Sequence, residues 1–160
     1  MEYKDVFRCL NNNKVRYLLC GGLAVNIYGI PRMTADIDIL LDFTEENISN
    51  FSKAMKEMRY INRVPVELGS LVSVDSRALL IKEINLIAYS YFNSMKNIMD
   101  LDVLLDTPFV FSDIWERKER RSLEDVDMDI ISLDDLIKMK SYANRQQDKN
   151  DVLLLSRLRK

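Results

Sequence analysis

Hydrophobic and polar residues recur with two different periods along this 160-residue chain. Where apolar residues recur every three or four positions the pattern predicts an amphipathic helix, and where they alternate with polar residues it predicts a strand with one apolar face. Helices are predicted at residues 2–12, 23–28, 45–58, 113–121, 133–139 and 148–158. Strands are predicted at residues 15–20, 34–42, 98–106 and 126–130, the last of them as an edge strand.

Two predicted helices have recognisable N-terminal capping residues, whereas one region has no pattern that assigns its secondary structure. Thr44 is a predicted N-cap, and Ser132 to Asp135 begins like a capping box. Residues 61–95 contain apolar residues in both periods and are not divided into elements by pattern. The order of the other elements predicts an α/β (α+β) domain, with a small mixed β-sheet flanked by helices. The length predicts a single domain over residues 1–160.

The composition of the chain excludes several kinds of catalytic site and metal site. The formal net charge of −2 lacks the basic excess of most nucleic-acid-binding domains, although a local basic patch stays open. The chain has no histidine, which excludes Ser-His-Asp and Cys-His catalysis and histidine metal sites. Cys9 and Cys20 are too few for a zinc site and fit a reducing cytoplasm. No apolar run approaches the roughly 20 residues of a membrane span, so we expect a cytoplasmic protein with no membrane partner.

Gly21 and Gly22 stand between a predicted strand and a predicted helix. Glycines in such a turn allow positive φ angles and a close approach of the backbone to a ligand. Backbone N–H groups at a helix N-terminus also attract phosphate. The alternative is an ordinary tight turn, for which a glycine pair is equally suited.

Asp36 and Asp38 share one face of a predicted strand, with Cα atoms about 6.5–7 Å apart. Two bare carboxylates at that distance repel each other by roughly 2–3 kcal/mol at an effective dielectric near 20. A divalent cation between them reverses the sign of this interaction, and carboxylate oxygens suit Mg²⁺ or Mn²⁺. The alternative is a solvated strand face, where two aspartates cost little.

The glycine turn and the aspartate pair together resemble the signature of the DNA polymerase β-like nucleotidyltransferase superfamily. That signature has an apolar residue, Gly, Gly or Ser, a short helix, and then D-x-D or D-x-E on the next strand. The chain is most similar to the minimal bacterial branch that includes the AbiEii-type toxin nucleotidyltransferases, with G-G-x-A, a later glycine and R-x-T-x-D-I-D. The matching residues are Gly21-Gly22-Leu23-Ala24, Gly29 and Arg32-Met33-Thr34-Ala35-Asp36-Ile37-Asp38.

The resemblance extends down the chain and implies a third carboxylate on a later strand. Asp100 and Asp102 both lie on the matching face of the strand predicted at residues 98–106. The family pattern of apolar, Asp, apolar, Leu fits Leu101-Asp102-Val103-Leu104 better, so Asp102 is expected and Asp100 is the reserve. Later family segments match residues 131–140, Arg145, Asp148 and Asp151.

The resemblance implies metal-dependent transfer of a nucleoside monophosphate from an NTP, such as ATP, to a hydroxyl acceptor. It implies that Asp36, Asp38 and Asp102 act as catalytic residues and ligate Mg²⁺ or Mn²⁺. The substrate-binding residues that it implies are Gly21, Gly22, Arg32, Thr34 and Lys140. Lys140 has two alternatives, a brace for the sheet or a solvated lysine. Arg145, Asp148 and Asp151 are expected to be a salt-bridge and capping set rather than catalytic groups.

The acceptor stays open among RNA, a protein and a small molecule. Some relatives act in toxin–antitoxin systems, so an antitoxin or other partner protein is also an expectation from the resemblance. The basic run at residues 117–121 and the tail at residues 157–160 would meet an RNA acceptor, or are a solvated helix face and tail. The alternative functions are a catalytically inactive nucleotide- or partner-binding domain of the same fold, and an unrelated interaction protein.

Overall fold

The computed structural model describes residues 3–94 and 98–159. Its α-helices are α1 (Tyr3–Asn12), α2 (Gly21–Ile27), α3 (Glu45–Glu57), α4 (Val74–Ile84), α5 (Phe111–Trp115), α6 (Leu133–Ala143) and α7 (Gln146–Ser156), and a 3₁₀ helix covers Leu68–Val72. Its strands are β1 (Tyr17–Cys20), β2 (Asp36–Leu41), β3 (Tyr60–Asn62), β4 (Ala88–Asn93), β5 (Asp100–Leu104), β6 (Glu119–Leu123) and β7 (Val126–Ile130).

The described strands form one mixed sheet in the order β3-β4-β5-β2-β1-β7-β6. β2 pairs with β5 in parallel and β1 pairs with β7 in parallel, whereas the remaining pairs are antiparallel. The predicted α/β (α+β) class, a mixed sheet flanked by helices, is therefore confirmed.

The sheet has one apolar face, because its strands alternate as predicted. Ile37 and Ile39 are fully buried on that face. α1 and α3 pack against it through aromatic pairs, Phe7 on Tyr17 and Phe51 on Tyr91, with ring centres 5.7 Å apart in both. Full burial of each such side chain contributes roughly 1.5–3 kcal/mol, so this face anchors the sheet. The opposite face carries the aspartates of β2 and β5 beside buried apolar residues of β1.

The predicted helix starts agree with the structure. Thr44 accepts a hydrogen bond from the backbone N–H of Asn47, and Ser132 accepts one from Asp135. Asn144 ends α6 in the left-handed conformation, with φ of 54°, as helix C-termini often do. None of the helices in the described part of the chain has the length and apolar character needed to cross a bilayer.

The helices predicted from residues 23 and 148 begin earlier, at Gly21 and Gln146, and the following assignments from the pattern are also wrong. The helix predicted at residues 113–121 ends at Trp115, and the basic run that follows enters β6 instead. β6 therefore forms the edge of the sheet, and the strand at residues 126–130 lies inside it. The strands predicted at residues 15–20, 34–42 and 98–106 are each shorter, as the bounds of β1, β2 and β5 show. For these strands and β6, pairing with a distant neighbour, which local periodicity does not report, sets the element.

Residues 61–95 hold the end of β3, the 3₁₀ helix, α4 and β4 within their described part. α4 has no buried residue, so it has no apolar stripe for a pattern to detect. Residue 2 of the first predicted helix and residues 95–97 of this region lie outside the described residues.

Candidate active site

Four aspartates lie side by side on the polar face of β2 and β5. The two strands run parallel in register, so that Asp36 pairs with Asp100 and Asp38 pairs with Asp102. Neighbouring strands lie about 4.8 Å apart and alternate residues of one strand about 6.5–7 Å apart. The sheet thus brings the aspartate pair and both candidates for the third carboxylate together.

A cavity of about 760 Å³ opens over part of this group. That volume lies within the range of about 300–1,000 Å³ that is usual for ligand sites. Asp102 lines the cavity, whereas Asp100 is not among its lining residues in the described chain and pairs with Arg63 at 2.8 Å. The cavity is lined by every site residue expected from the sequence, namely Gly21, Gly22, Arg32, Thr34, Asp36, Asp38, Asp102 and Lys140.

The glycine turn makes room for the side chain of Asp38. Gly21 has a φ of +66°, and a Cβ atom there would lie 1.8 Å from Oδ2 of Asp38. A Cβ atom on Gly22 would lie 2.6 Å from Oγ1 of Thr34. Both positions therefore require glycine, Gly21 for its conformation and its space and Gly22 for its space. The turn is adapted to β2 itself, which explains why two glycines occur in succession.

The backbone N–H of Gly22 faces the carboxylate of Asp38 and favours its ionised form, against burial and Asp102, which raise its pKa. The start of α2 thus already lies against a carboxylate. Thr34 precedes β2 and donates its hydroxyl to the backbone carbonyl of Asp36 at 3.2 Å. It therefore braces the entry to the strand.

Burial and mutual repulsion raise the pKa of both aspartates on β2. For Asp38 burial is the largest cause, followed by the charge of Asp102, and together they raise its pKa to about 6 against the opposing charge of Lys140. For Asp36 burial again comes first, followed by Asp102 and Asp100, and its pKa is raised although Arg63 opposes the shift. This side of the cavity therefore carries negative charge that its surroundings do not neutralise.

Cationic side chains on a second wall face the same cavity. Lys140 is buried at 5% exposure, and its Nζ lies 3.2 Å from Oδ1 of Asp148 and 3.1 Å from Oδ2 of Asp151. Arg32 contacts Asp151 at 2.5 Å, and Arg145 contacts Asp148 at 2.8 Å. Three cations and two anions thus form one network with a net positive charge. We call this set the helix wall, and Asp36, Asp38 and Asp102 the sheet wall.

The helix wall explains the later sequence segments. Arg145 is the N-cap of α7 and shares a capping box with Asp148, so the expectation of a salt-bridge and capping set agrees with these contacts. Burial opposes ionisation of Asp148, but hydrogen bonds from Arg145 and the charge of Lys140 outweigh it and lower the pKa. Lys140 is not a solvated lysine, because α7 covers it with two carboxylates.

The cavity also has an apolar end that the sequence did not reveal. It includes Ile87, Leu104, Met139 and Tyr142, and the hydroxyl of Tyr142 donates to Oδ1 of Asp106 at 2.7 Å. Ile87 lies in the region that pattern did not divide. Met139 and Tyr142 are three residues apart in α6, so helical periodicity was the signal that could have placed them on one face.

The sheet wall was tested as a cation site on its donor chemistry. Among the described residues, no group of three or more His, Cys, Asp or Glu side chains is close enough together to hold a metal ion as it stands. The donors are nevertheless hard carboxylate oxygens, which suit Mg²⁺ and Mn²⁺. Burial first and repulsion from neighbouring aspartates second raise the pKa of Asp36 and of Asp38, and a bound cation would favour the ionised form of both. The residues present therefore fit such an ion.

The basic run at residues 117–121 does not form a free cationic surface. Arg117 pairs with Asp135 at 2.6 Å, and Arg120 pairs with Asp129 at 3.1 Å. None of the run lines the cavity. In the tail, Arg159 pairs with Asp134 at 2.7 Å, while residue 160 lies outside the described residues.

Comparison with known proteins supports the fold. No protein-family model matches the chain, and no curated protein matches it. A solved structure that does match is the lincosamide antibiotic adenylyltransferase LnuA with lincomycin bound, at 18% sequence identity. The match covers 92% of this chain and 89% of that one, with a TM-score of 0.59. The chain therefore has the fold of a nucleotidyltransferase, as the resemblance implied, and its placement in the AbiEii-type branch stays a prediction.

Proposed function

We propose that this protein is a metal-dependent nucleotidyltransferase that moves a nucleoside monophosphate from an NTP to a hydroxyl acceptor and releases pyrophosphate. The observation that carries the proposal is the opposition of two charged walls across one cavity. The carboxylates of the sheet wall, which have no ion-pair partner among the described residues, lie opposite the three cations of the helix wall. A metal–triphosphate complex has the complementary charges, because its metal seeks oxygen ligands and its phosphates seek cations.

On the sheet wall, Asp36, Asp38 and Asp102 are the proposed ligands of Mg²⁺ or Mn²⁺. Such an ion supplies neutralisation of phosphate charge and a lower pKa for the acceptor hydroxyl. Asp102 is preferred to Asp100 as the third carboxylate, because Asp102 lines the cavity while Asp100 is neutralised by Arg63. Asp102 is also the proposed acceptor of the hydroxyl proton.

On the helix wall, Arg32, Lys140 and Arg145 are proposed to hold the phosphates. Asp148 and Asp151 keep these cations in place, so that little side-chain ordering remains to be done when the nucleotide binds. Gly21 and Gly22 are proposed to let the phosphates approach the backbone beside Asp38. Thr34 is proposed to act indirectly, through the backbone of Asp36.

The proposed acceptor is a small molecule that bears a hydroxyl group. The apolar end of the cavity, with Ile87, Leu104 and Met139, offers a surface for its body. The solved neighbour was captured with lincomycin, which is a small molecule. An RNA acceptor is less favoured, because Arg117 and Arg120 are already paired with aspartates. A toxin–antitoxin role and an antitoxin partner are implied only by the sequence resemblance.

Transfer of label from each α-³²P-NTP in turn tests the proposal. The purified protein is incubated with Mg²⁺ and with separate small-molecule, RNA and protein fractions of a cell lysate. We expect labelled product in the small-molecule fraction, none with EDTA, and none with an Asp36→Asn/Asp38→Asn variant. Asp100→Asn is the matched control, because it removes an aspartate from the same sheet face but outside the cavity, and it should retain transfer.

A second candidate, a nucleotide-binding domain without catalysis, is favoured by one observation. The carboxylates of the sheet wall do not form a ready metal cluster as they stand. Nucleotide binding that needs Mg²⁺ and both aspartates, with no transfer to any fraction, would support this candidate over the transferase.

A further inference from the structure

Another cavity, of about 490 Å³, adjoins the site at the C-terminal ends of β2 and β5. Leu104 lines both cavities. Leu40 also lines this second cavity, and it follows Asp36 and Asp38 on one face of β2, because alternate residues of a strand point the same way. The cavity therefore begins where the carboxylates end, and nothing in the proposed transfer uses it.

The wall of this cavity is predominantly apolar. β2 and β5 contribute Leu40 and Leu104, and the segment after β5 contributes Phe109 and Phe111. Val74 and Val110 also line it, although they are 68% and 64% exposed. Large apolar side chains that stay exposed around a cavity mark a surface that a ligand covers.

One arginine in this largely apolar wall, Arg77, has no carboxylate partner among the described residues. The guanidinium of Arg77 lies 4.4 Å from the ring centre of Phe43 and donates to the backbone carbonyls of Leu71 and Val72. No Asp or Glu of the described chain lies within ion-pair distance of it. Asp42 also lines the cavity, but its carboxylate is paired with Arg16 at 2.9 Å. Burial lowers the pKa of Arg77, so its positive charge is held at a cost that an anionic group would offset.

We propose that this cavity binds a small apolar molecule with one anionic group, its body against Leu40, Leu104 and Phe109 and its anion on the guanidinium of Arg77. The carboxylate of a short aliphatic acid meets these requirements, because the planar guanidinium accepts a carboxylate through two parallel hydrogen bonds. This proposal uses neither the sheet wall nor the helix wall, and it shares only Leu104 with the apolar end of the proposed transferase site.

Decanoate and 1-decanol are the matched probes, because they share an apolar body and differ in charge. Their binding is measured by calorimetry and by the fluorescence of Trp115, the only tryptophan, whose ring stacks on Phe111 at 5.5 Å. We expect decanoate to bind the wild type at least about tenfold more tightly than decanol, as a charge-assisted hydrogen bond allows. We expect Arg77→Met to lose that preference and to leave decanol binding unchanged.

Two further variants keep the test decisive if Arg77→Met fails to fold. Ala78 lines the cavity, so Ala78→Phe should fill it and abolish binding of both probes. Arg157→Met, which removes an exposed cation at the end of α7, should change neither affinity. Failure of the wild type to bind decanoate, equal affinity for the two probes, or binding that survives Ala78→Phe would overturn the proposal.

Discussion

Asp38 and Asp148 are aspartates on opposite walls of one cavity, yet their pKa values shift in opposite directions. On the sheet wall, burial and Asp102 raise the pKa of Asp38 to about 6. On the helix wall, Arg145 and Lys140 overcome burial and lower the pKa of Asp148. The aspartates of the helix wall are therefore paired as they stand, whereas Asp38 on the sheet wall keeps a charge that Lys140 offsets only in part. Groups perturbed without a structural partner are those most often found at functional sites.

The largest difference between the walls should appear in catalysis. Asp38→Asn keeps the shape of the side chain but removes a proposed metal ligand, so transfer should fall by about 10³-fold or more. Asp102→Asn should behave similarly, and Asp100→Asn should cost only a few-fold. Steady-state transfer rates at saturating Mg²⁺ measure all three. Equal losses for Asp100→Asn and Asp102→Asn would contradict the assignment of the third carboxylate.

On the helix wall the main effect should be on stability. Asp148→Ala leaves the buried ammonium of Lys140 with one carboxylate fewer, and breaking such a pair costs about 3 kcal/mol of the free energy of unfolding. Urea denaturation at pH 7 measures this loss.

The same variant separates two accounts of nucleotide binding. Removal of a negative charge would tighten binding of a triphosphate by simple attraction, whereas loss of position for Lys140 and Arg145 should weaken it about tenfold. Titration of the folded Asp148→Ala protein with Mg²⁺ and NTP distinguishes the two. Unchanged stability or tighter binding would show that the network does not hold the wall.

Without metal, substitution of Asp38 on the sheet wall should have a smaller effect on the free energy of unfolding than Asp148→Ala has. As the pH rises, it should stabilise the protein relative to the wild type. The pKa of Asp38 is raised from about 3.9 in the unfolded chain to about 6, so the folded state retains this proton more strongly. The resulting stability is present below about pH 4 and is lost as the pH rises through 6.

Asp38→Asn cannot ionise, so its stability relative to the wild type should increase by about 2 kcal/mol between pH 4 and pH 8. Denaturation in EDTA at both pH values checks this. A relative stability that stays constant, or that falls as the pH rises, would mean that Asp38 is not held at an unfavourable charge.

The smallest effect concerns two exposed arginines that differ in their location. Arg145→Gln removes a cation that lines the cavity, and NTP affinity should fall by a few-fold, about 1 kcal/mol. Arg120→Gln removes a member of the basic run that is paired with Asp129 on an exposed strand, and should cost less than about 1 kcal/mol in stability and nothing in NTP affinity. Calorimetric titration of both variants measures the difference. An equal loss of affinity would contradict the separation of the basic run from the site.

The sequence was most informative where a feature is local. Alternation in β2 and β5 predicted that Asp36, Asp38 and Asp102 would point away from the apolar core, and the parallel register brings them together. The glycine pair was also identified, although its tight fit against Asp38 and Thr34 depends on how the chain folds back.

Features that depend on distant partners were not predictable in the same way. The burial of Lys140 follows from carboxylates on α7, which approach it only when the two helices pack. β6 was mistaken for helix because its residues are largely exposed, and its pairing with β7 supplies the structure that its pattern lacks. Arg63, whose guanidinium pairs with the carboxylate of Asp100, lies in the region that pattern did not divide.

Calorimetric titration of the protein with ATP and each other NTP tests whether the sheet wall binds a metal–nucleotide complex. We expect binding of at least one NTP with Mg²⁺ that weakens more than about tenfold in EDTA, and equally in Asp36→Asn/Asp38→Asn. Binding that is indifferent to both the metal and the two aspartates, or no binding of any NTP, would contradict it.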